Sequence, residues 1–340
     1  MPNIPLEPSE RLRRKNAFDA SLVMGVRQFT LGTGRDRHIQ ESMSALLDAD
    51  TGWLRQELAQ DRTCPVCGGH WSEPLFIKAG FRHGRCPECG LIYVNPVLRD
   101  DAVISHYRQE NSWTRVLESD WQIQFDRLKF NYGLDVAEPY VSGRKVLDVG
   151  AGNGHFLRVA AARDYQTVGV ELNSAHVARL RAEGFRIIDH PLEEAHLDGH
   201  SFDLITLWET LEHITRPGPL LMEIDRILRP GGVLLILVPN ADSLSCRLLH
   251  EKSGTFGGHS HVNCFNLESL SRLLCRTGFS VLESETLITE LGTIHNYLNF
   301  EDPYLGQAGP VLDCLTPSMI HDRLLGSKLL TVARSEKDQE

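Results

Sequence analysis

The hydrophobic pattern changes character near residue 144. Upstream, Trp121, Phe125, Leu128 and Tyr132 recur at i, i+4, i+7 and i+11. That spacing predicts one apolar helical face within residues 100–140. Downstream, short apolar runs alternate with helical stretches. Lys145–Val149 reads as a buried strand, followed by a helix over about Gly154–Arg163 and a strand over Thr167–Leu172. Ser174 is placed to cap a helix over Ala175–Glu183. Strands over Arg186–Asp189 and Phe202–Trp208 follow, then a helix over Pro219–Leu228 that stops at Arg-Pro-Gly-Gly. Val233–Val238 reads as a strand. Asn266 is placed to cap a helix over Leu267–Arg276, which ends at Gly278, and Ser280–Thr286 and Lys328–Ala333 read as the last strands. Strands separated by helices at this spacing predict an α/β protein with a doubly wound, mostly parallel sheet.

Composition narrows the classes. The 340 residues are 41% hydrophobic and 24% charged, an ordinary globular balance that excludes wholesale disorder. Thirty-five basic against 45 acidic residues give a net charge of −10, the opposite of a protein that lives on nucleic-acid phosphates. The longest strongly apolar run, Val233–Val238, is too short to span a bilayer. The first residues carry prolines and charges where a signal peptide needs an apolar run, so the expected compartment is the cytoplasm.

Cysteine placement adds the first candidate chemistry. Cys64 and Cys67, then Cys86 and Cys89, form two CxxC pairs separated by eighteen residues. Four thiolates so spaced can close a tetrahedron around Zn²⁺, leaving no open position, so the expected metal is structural. Gly68 and Gly90 follow the two turns, where backbone amides need room to approach the sulfurs. The segment resembles a zinc ribbon. Four regions are therefore expected: a helical N-terminal extension at 1–60, the ribbon at 61–99, a helical linker or lid at 100–143 and the α/β domain at 144–335. A Cys86→Ser change should then unfold the ribbon locally and leave the other domain's ligand affinity largely intact.

The second candidate follows the first strand of the sheet, where Asp148, Gly150, Gly152 and Gly154 alternate and then enter a helix. A dinucleotide fingerprint needs a glycine at 155, which is histidine here, and no Gly-Lys-Ser/Thr phosphate loop is present. Glu171 ends the second strand, twenty-one residues after Gly150, where a carboxylate can accept both ribose hydroxyls of an adenosine ligand.

Together these motifs resemble class I S-adenosylmethionine-dependent methyltransferases over about 144–335. Phe202–Trp208 followed by Glu209–Ile214 is similar to the family's fourth-strand motif, and Leu228–Ile236 to the entry into its fifth strand. His261–Phe265 and Leu273–Phe279 complete the order found in the small-molecule subgroup with the ubiquinone-biosynthesis O-methyltransferases. The ribbon and the Tyr93–Pro96 segment are also similar to certain sugar C-methyltransferases of antibiotic pathways.

The resemblance implies a seven-stranded Rossmann-like sheet and residue roles. Gly150, Gly152 and Gly154 would cradle the methionine and ribose part of S-adenosyl-L-methionine, with Asp148 near its amino group. Glu171 would hold the ribose, Leu172 would pack on adenine, and the chain around Pro191–Glu193 would wall the other adenine face. Trp208 would place the methyl donor beside the acceptor.

His213, His259 and His261 are the candidate general bases. An extended chain would point His259 and His261 to one side, a pair that could also bind a metal, although no third ligand is apparent. His106 and Tyr107 could reach the pocket as lid residues. Asn240 and the glycine-bearing stretch up to Asn266 should border the acceptor, the stretch as a mobile lid.

The expected activity is methyl transfer to carbon or oxygen of a small molecule in biosynthesis. Alternatives are an RNA methyltransferase that uses the ribbon on RNA, and a cofactor-binding scaffold without turnover. Residues 62–99 hold five basic and two acidic residues, but 141–340 hold eighteen basic against twenty-six acidic, which argues against RNA. No membrane partner is expected.

Overall fold

The computed structural model describes residues 5–19, 44–108, 119–298 and 314–337. Among these, no helix is long and apolar enough to cross a membrane. The N-terminal part forms β1 (Ala59–Gln60), β2 (Glu73–Lys78), β3 (Phe81–Arg85), β4 (Ile92–Val94) and β5 (Val97–Leu98). The C-terminal part carries β6 (Lys145–Val149), β7 (Gln166–Val170), β8 (Arg186–Ile188), β9 (Phe202–Trp208), β10 (Leu228–Pro239), β11 (Asn263–Cys264), β12 (Phe279–Leu287) and β13 (Lys328–Ser335).

Seven strands form one sheet in the order β12-β13-β10-β9-β6-β7-β8. Pairing is parallel from β8 through β10, while β13 runs antiparallel to both its neighbours. This is the expected doubly wound sheet. Alternation within β6 divides the core: Leu147 and Val149 face one apolar cluster and Val146 the other. Expected and observed strands agree to within a few residues. The largest difference is β10, which begins at Leu228 because Arg229–Gly232 form an irregularity within the strand rather than ending before it.

Two local expectations need correction. The helix over Asp120–Ala137 buries Phe125 and Tyr132, but Leu128 is 45% exposed. Phe130 occupies the buried face instead, stacking edge-on to Trp208 and Phe156. The cap of the helix over Ser174–Ala182 is Asn173, not Ser174, with Oδ1 accepting from the N–H groups of Ala175 and His176 at 3.1 Å.

Within 1–60, a helix over 8–19 docks on β12, through Arg11 to Glu283, Lys15 to Glu285 at 2.7 Å and Asp19 to Thr289. Trp113 lies outside the described residues, as do the side chains of His106 and Tyr107 on the helix over Asp100–Arg108.

The cysteine-bearing segment is continuous with the rest of the molecule. Its sheet has the order β11-β4-β3-β2, so a strand from the C-terminal part completes it. Cys64, Cys86, Cys89, Leu91 and Tyr93 share one core with Leu147, Leu234 and Phe265. The stretch expected to be a lid is packed: Cys246, Phe256 and Cys264 are buried with Ile92, and Phe76 of β2 closes over them. Two of its glycines are packed as well: a Cβ on Gly258 would meet Phe81 at 2.9 Å, and one on Gly257 would meet Ser260 Oγ at 2.9 Å.

Candidate functional site

The candidate cofactor side grows from the end of β6. Gly150 and Gly152 have φ values of +83° and +54°, a conformation that side chains disfavour. A Cβ on Gly150 would meet Thr210 Oγ1 at 2.5 Å, whereas one on Gly152 would meet nothing within 4 Å. The loop is therefore pressed against the protein on one side and open on the other, as a cradle for a ligand requires. Gly154, with φ +80°, caps the helix over His155–Ala161.

Glu171 reaches across from the end of β7. Its Oε2 accepts from Gly152 N–H at 2.6 Å and its Oε1 from Asn173 N–H at 2.7 Å. Burial pushes its pKa up, and these backbone donors oppose the shift. Leu172 beside it is partly exposed. Glu193 is exposed on a single turn, Leu192–Glu194.

Asp148 is buried and accepts from Thr206 Oγ1 at 2.7 Å. Burial raises its pKa to about 7. Trp208 is 7% exposed, with its ring 4.8 Å from Phe130 and 5.5 Å from Phe156, and its indole N–H has no partner among the described residues. Its ring belongs to the core beneath the helix over Asp120–Ala137.

The candidate acceptor side lies past β9. Glu209 has φ +50°, and its carboxylate sits between Lys129 at 3.0 Å and Lys328. Lys129 also meets Asp126 at 3.0 Å, and Asp126 meets His155 Nδ1 at 2.9 Å. The two lysines hold Glu209 well below the usual carboxylate range despite its burial. Asn240 is buried and donates Nδ2 to the carbonyls of Leu324 and Gly326, so it anchors the chain entering β13.

The turn Leu211–His213 carries a buried glutamate and a histidine. His213 Nδ1 lies 2.9 Å from Ser260 O, and His261 Nδ1 2.8 Å from Thr255 O. A nitrogen against a carbonyl is the protonated one, so Nε2 carries the lone pair in both rings. The ring centroids are 5.1 Å apart. Glu212 is 1% exposed, its oxygens have no hydrogen-bond partner among the described residues, and Oε1 lies 3.8 Å from His213 Nε2. Burial, reinforced by the Glu209 charge, pushes Glu212 up to about 8. Burial pulls His213 down to about 4 and, with His213 nearby, His261 to about 3.

His259 does not pair with His261. Its Nδ1 lies 3.0 Å from Gly257 O, because the chain turns at 257–259 instead of running extended. His261 meets His213 and Glu212, with one possible ligand atom from each within 4.8 Å of the others. From sequence the His259–His261 pair has no apparent third ligand, and the structure instead groups His261 with His213 and Glu212. Glu212, adjacent to a candidate base in the Glu-His motif, was the available signal. Lys129, Glu209 and Lys328 had none, since their meeting joins three distant stretches.

The four ribbon cysteines also converge. Sγ of Cys64 lies 3.5 Å from that of Cys89, and Cys67 3.4 Å from Cys86, all four within 4.8 Å of one another. Those separations are too long for disulfides and suit thiolates around one ion. Gly68 N–H donates to Cys64 O at 2.8 Å and Gly90 N–H to Cys86 O at 2.9 Å, so the two CxxC turns are equivalent knuckles.

Residues 125–284 match a family model described as a methyltransferase domain. The chain is 28% identical over 200 residues to a probable S-adenosylmethionine-dependent methyltransferase of Mycolicibacterium smegmatis, covering 58% of this chain and 68% of that protein. It is 39% identical over 105 residues to a ubiquinone biosynthesis O-methyltransferase of Idiomarina loihiensis, covering 29% of this chain and 43% of that protein. The matches to the ubiquinone-biosynthesis relatives span between 40% and 66% of those proteins' length. Among solved structures, Burkholderia thailandensis 1,6-didemethyltoxoflavin-N1-methyltransferase has a TM-score of 0.48 and 17% identity, covering 78% of this chain and 100% of that one.

Proposed function

We propose, for a chain whose residues 125–284 match the model of a methyltransferase-domain family, that it is a methyltransferase of that kind and uses S-adenosyl-L-methionine to methylate carbon or oxygen of a small molecule in biosynthesis. One observation carries this reading: Glu171 at the end of β7 is aimed at a glycine loop whose outer side is open at Gly152. Bound there, the cofactor supplies a methyl group already activated by a sulfonium.

The chain's own work is then binding and orientation. Gly150, Gly152 and Gly154 admit the ligand against the backbone. Glu171 accepts the ribose hydroxyls, Leu172 and the Glu193 turn flank adenine, and Asp148 supports the loop from below. Trp208 sets the floor between the cofactor and acceptor sides from within the core. Methyl transfer needs the acceptor held in line with the leaving bond. His213 and His261 are neutral with Nε2 lone pairs and are the candidate proton acceptors, but burial makes them weak bases, so they serve best an acceptor whose proton is already acidic. His259, bound to its own turn, is the weaker candidate.

Cys64, Cys67, Cys86 and Cys89 hold a structural Zn²⁺ in this reading, in a reducing cytoplasm that keeps the thiols available. The acidic balance of 141–340 favours a small acceptor over RNA.

Calorimetry with S-adenosylmethionine on purified protein tests the cofactor, and a donor-labelled acceptor screen tests turnover. Saturable binding is expected. Its absence at millimolar ligand overturns the reading, while binding without any labelled product leaves the scaffold alternative in its place.

A further inference from the structure

One ribbon side chain, Arg62, bonds to both of the stretches that carry His213 and His261. Arg62 lies two residues before Cys64 and is partly buried. Its Nε donates to Val94 O at 3.0 Å, its Nη1 to Thr215 O at 2.9 Å and its Nη2 to Val262 O at 2.6 Å. Its backbone N–H donates to Asn95 Oδ1 at 3.0 Å, and its guanidinium lies 5.4 Å from the centre of the Tyr93 ring. Burial pulls its pKa to about 10, so it stays charged at neutral pH.

The three carbonyls come from three separate stretches. Val94 is in the ribbon sheet. Thr215 is two residues past His213, and Val262 follows His261 directly. The same stretches are laced together around the guanidinium. Val94 N–H donates to Val262 O at 3.0 Å, Val262 N–H to Glu212 O at 2.9 Å and Asn263 Nδ2 to Ile214 O at 2.7 Å. Ser260, whose carbonyl orients His213, lies two residues from Val262. A planar guanidinium with donors on three nitrogens spans three carbonyls at fixed angles, which a single ammonium point cannot do.

We propose that Arg62 is a positioning residue for the acceptor side, clamping the zinc ribbon to the turn of His213 and the segment of His261 and so fixing the two imidazoles against each other. What the imidazoles face rests on the methyltransferase reading, but the clamp does not. The ribbon is then the back wall of the acceptor site, and beside the backbone pairing of β4 with β11 its fold reaches both histidine stretches through a side chain that neither ligates metal nor touches the acceptor.

The test is histidine titration by NMR on the full, zinc-loaded chain with nitrogen-labelled histidine, comparing wild type with Arg62→Met. In wild type, His213 and His261 keep Nδ1–H and stay neutral down to about pH 4. In Arg62→Met both titrate at least about one pH unit closer to the ordinary histidine value. Zinc content stays at wild-type level, and S-adenosylmethionine affinity stays within about twofold. The charged and titratable groups facing the pair are Glu209, Glu212, Lys328 and His259. None of them is altered by the substitution. Histidines that titrate as in wild type overturn the proposal. If Arg62→Met does not fold, Arg62→Gln takes its place: the same shift is expected, and an unshifted titration again overturns the clamp. A wild-type chain that binds no S-adenosylmethionine removes the methyltransferase reading, yet the titration still decides the clamp.

Discussion

The cofactor side and the acceptor side are built in opposite ways. On the cofactor side, Gly150, Gly152, Glu171 and Asn173 meet through hydrogen bonds between one strand end and the next. On the acceptor side, Arg62, Val94, Thr215 and Val262 meet across a sequence separation of up to 200 residues. The first arrangement survives as long as β6 and β7 stay paired. The second exists only while the ribbon, the turn after β9 and β11 are all in place. Binding of the donor should therefore be robust to damage in the ribbon, and organisation of the acceptor wall should not.

Cys86→Ser should produce the largest effect. Its Sγ lies 3.4 Å from that of Cys67, and the residue belongs to the core that contains Leu147 and Phe265. Removing a ligand of a structural zinc site forfeits binding energy that is also folding energy, here at least about 3 kcal/mol. Local unfolding of an independent ribbon was the expectation from sequence. The shared β11–β4 pairing predicts instead that hydrogen-exchange protection falls at 211–215 and 255–264 as well as at 62–99. A loss of protection confined to 62–99 would make the two regions separable and erase the contrast on the acceptor side.

Glu171→Ala probes the other side. Each carboxylate oxygen holds a backbone N–H, so the loop loses its tether together with the ribose acceptor. Calorimetry should show S-adenosylmethionine binding weakened by about 1–3 kcal/mol, the scale for hydrogen bonds to a charged group. His213 and His261 should titrate as in wild type. Unchanged affinity would move the ribose elsewhere and remove the basis for placing the cofactor here.

This contrast also accounts for what the sequence makes legible. The central strands were readable as local apolar runs, Phe202–Trp208 being buried along its whole length, whereas β12 carries Glu283 and Glu285 and is marked by the capped helix and Gly278 before it. The glycine loop and Glu171 were readable because their spacing is set by one strand-helix-strand unit. Leu128 fits the helical period yet faces solvent, because period gives a stripe and only packing decides which side of the helix meets the sheet. The His259–His261 pairing depended on extended backbone, and a turn at Gly257 removed it. Arg62 sits outside every motif. Its function depends on three backbone carbonyls, and a carbonyl has no signature in sequence.

Glu212→Gln gives a smaller effect with a definite sign. Burial holds the Glu212 pKa near 8 in the folded chain, against 4.5 when exposed. Between these values the folded state binds more protons than the unfolded state, so this group lowers stability as pH rises through the window and adds no further slope above about 8. Relative to the variant, wild type should lose about 1–2 kcal/mol between pH 5 and pH 8 in denaturant titrations, after allowance for relaxation around the charge. The raised carboxyls of Asp148 and Asp19 occur in both proteins and cancel in the difference. Parallel stability curves would mean that Glu212 is solvated or paired, and the acceptor wall would lose its buried acid.

The smallest effect concerns the helix that follows Glu171. Asn173 caps it with one side-chain oxygen accepting from two backbone N–H groups, those of Ala175 and His176. Asn173→Ala leaves both donors to weaker solvation and should cost about 1 kcal/mol of global stability. The neighbouring Ser174 is exposed, and its alanine variant should stay within about 0.5 kcal/mol. The Asn173 backbone N–H that bonds Glu171 is untouched by the change, so donor affinity should fall far less than in Glu171→Ala. If Asn173→Ala instead weakens S-adenosylmethionine binding as much as Glu171→Ala does, the carboxylate is held by the cap rather than by the strand end. The cofactor side would then depend, like the acceptor side, on a positioning residue outside its motif.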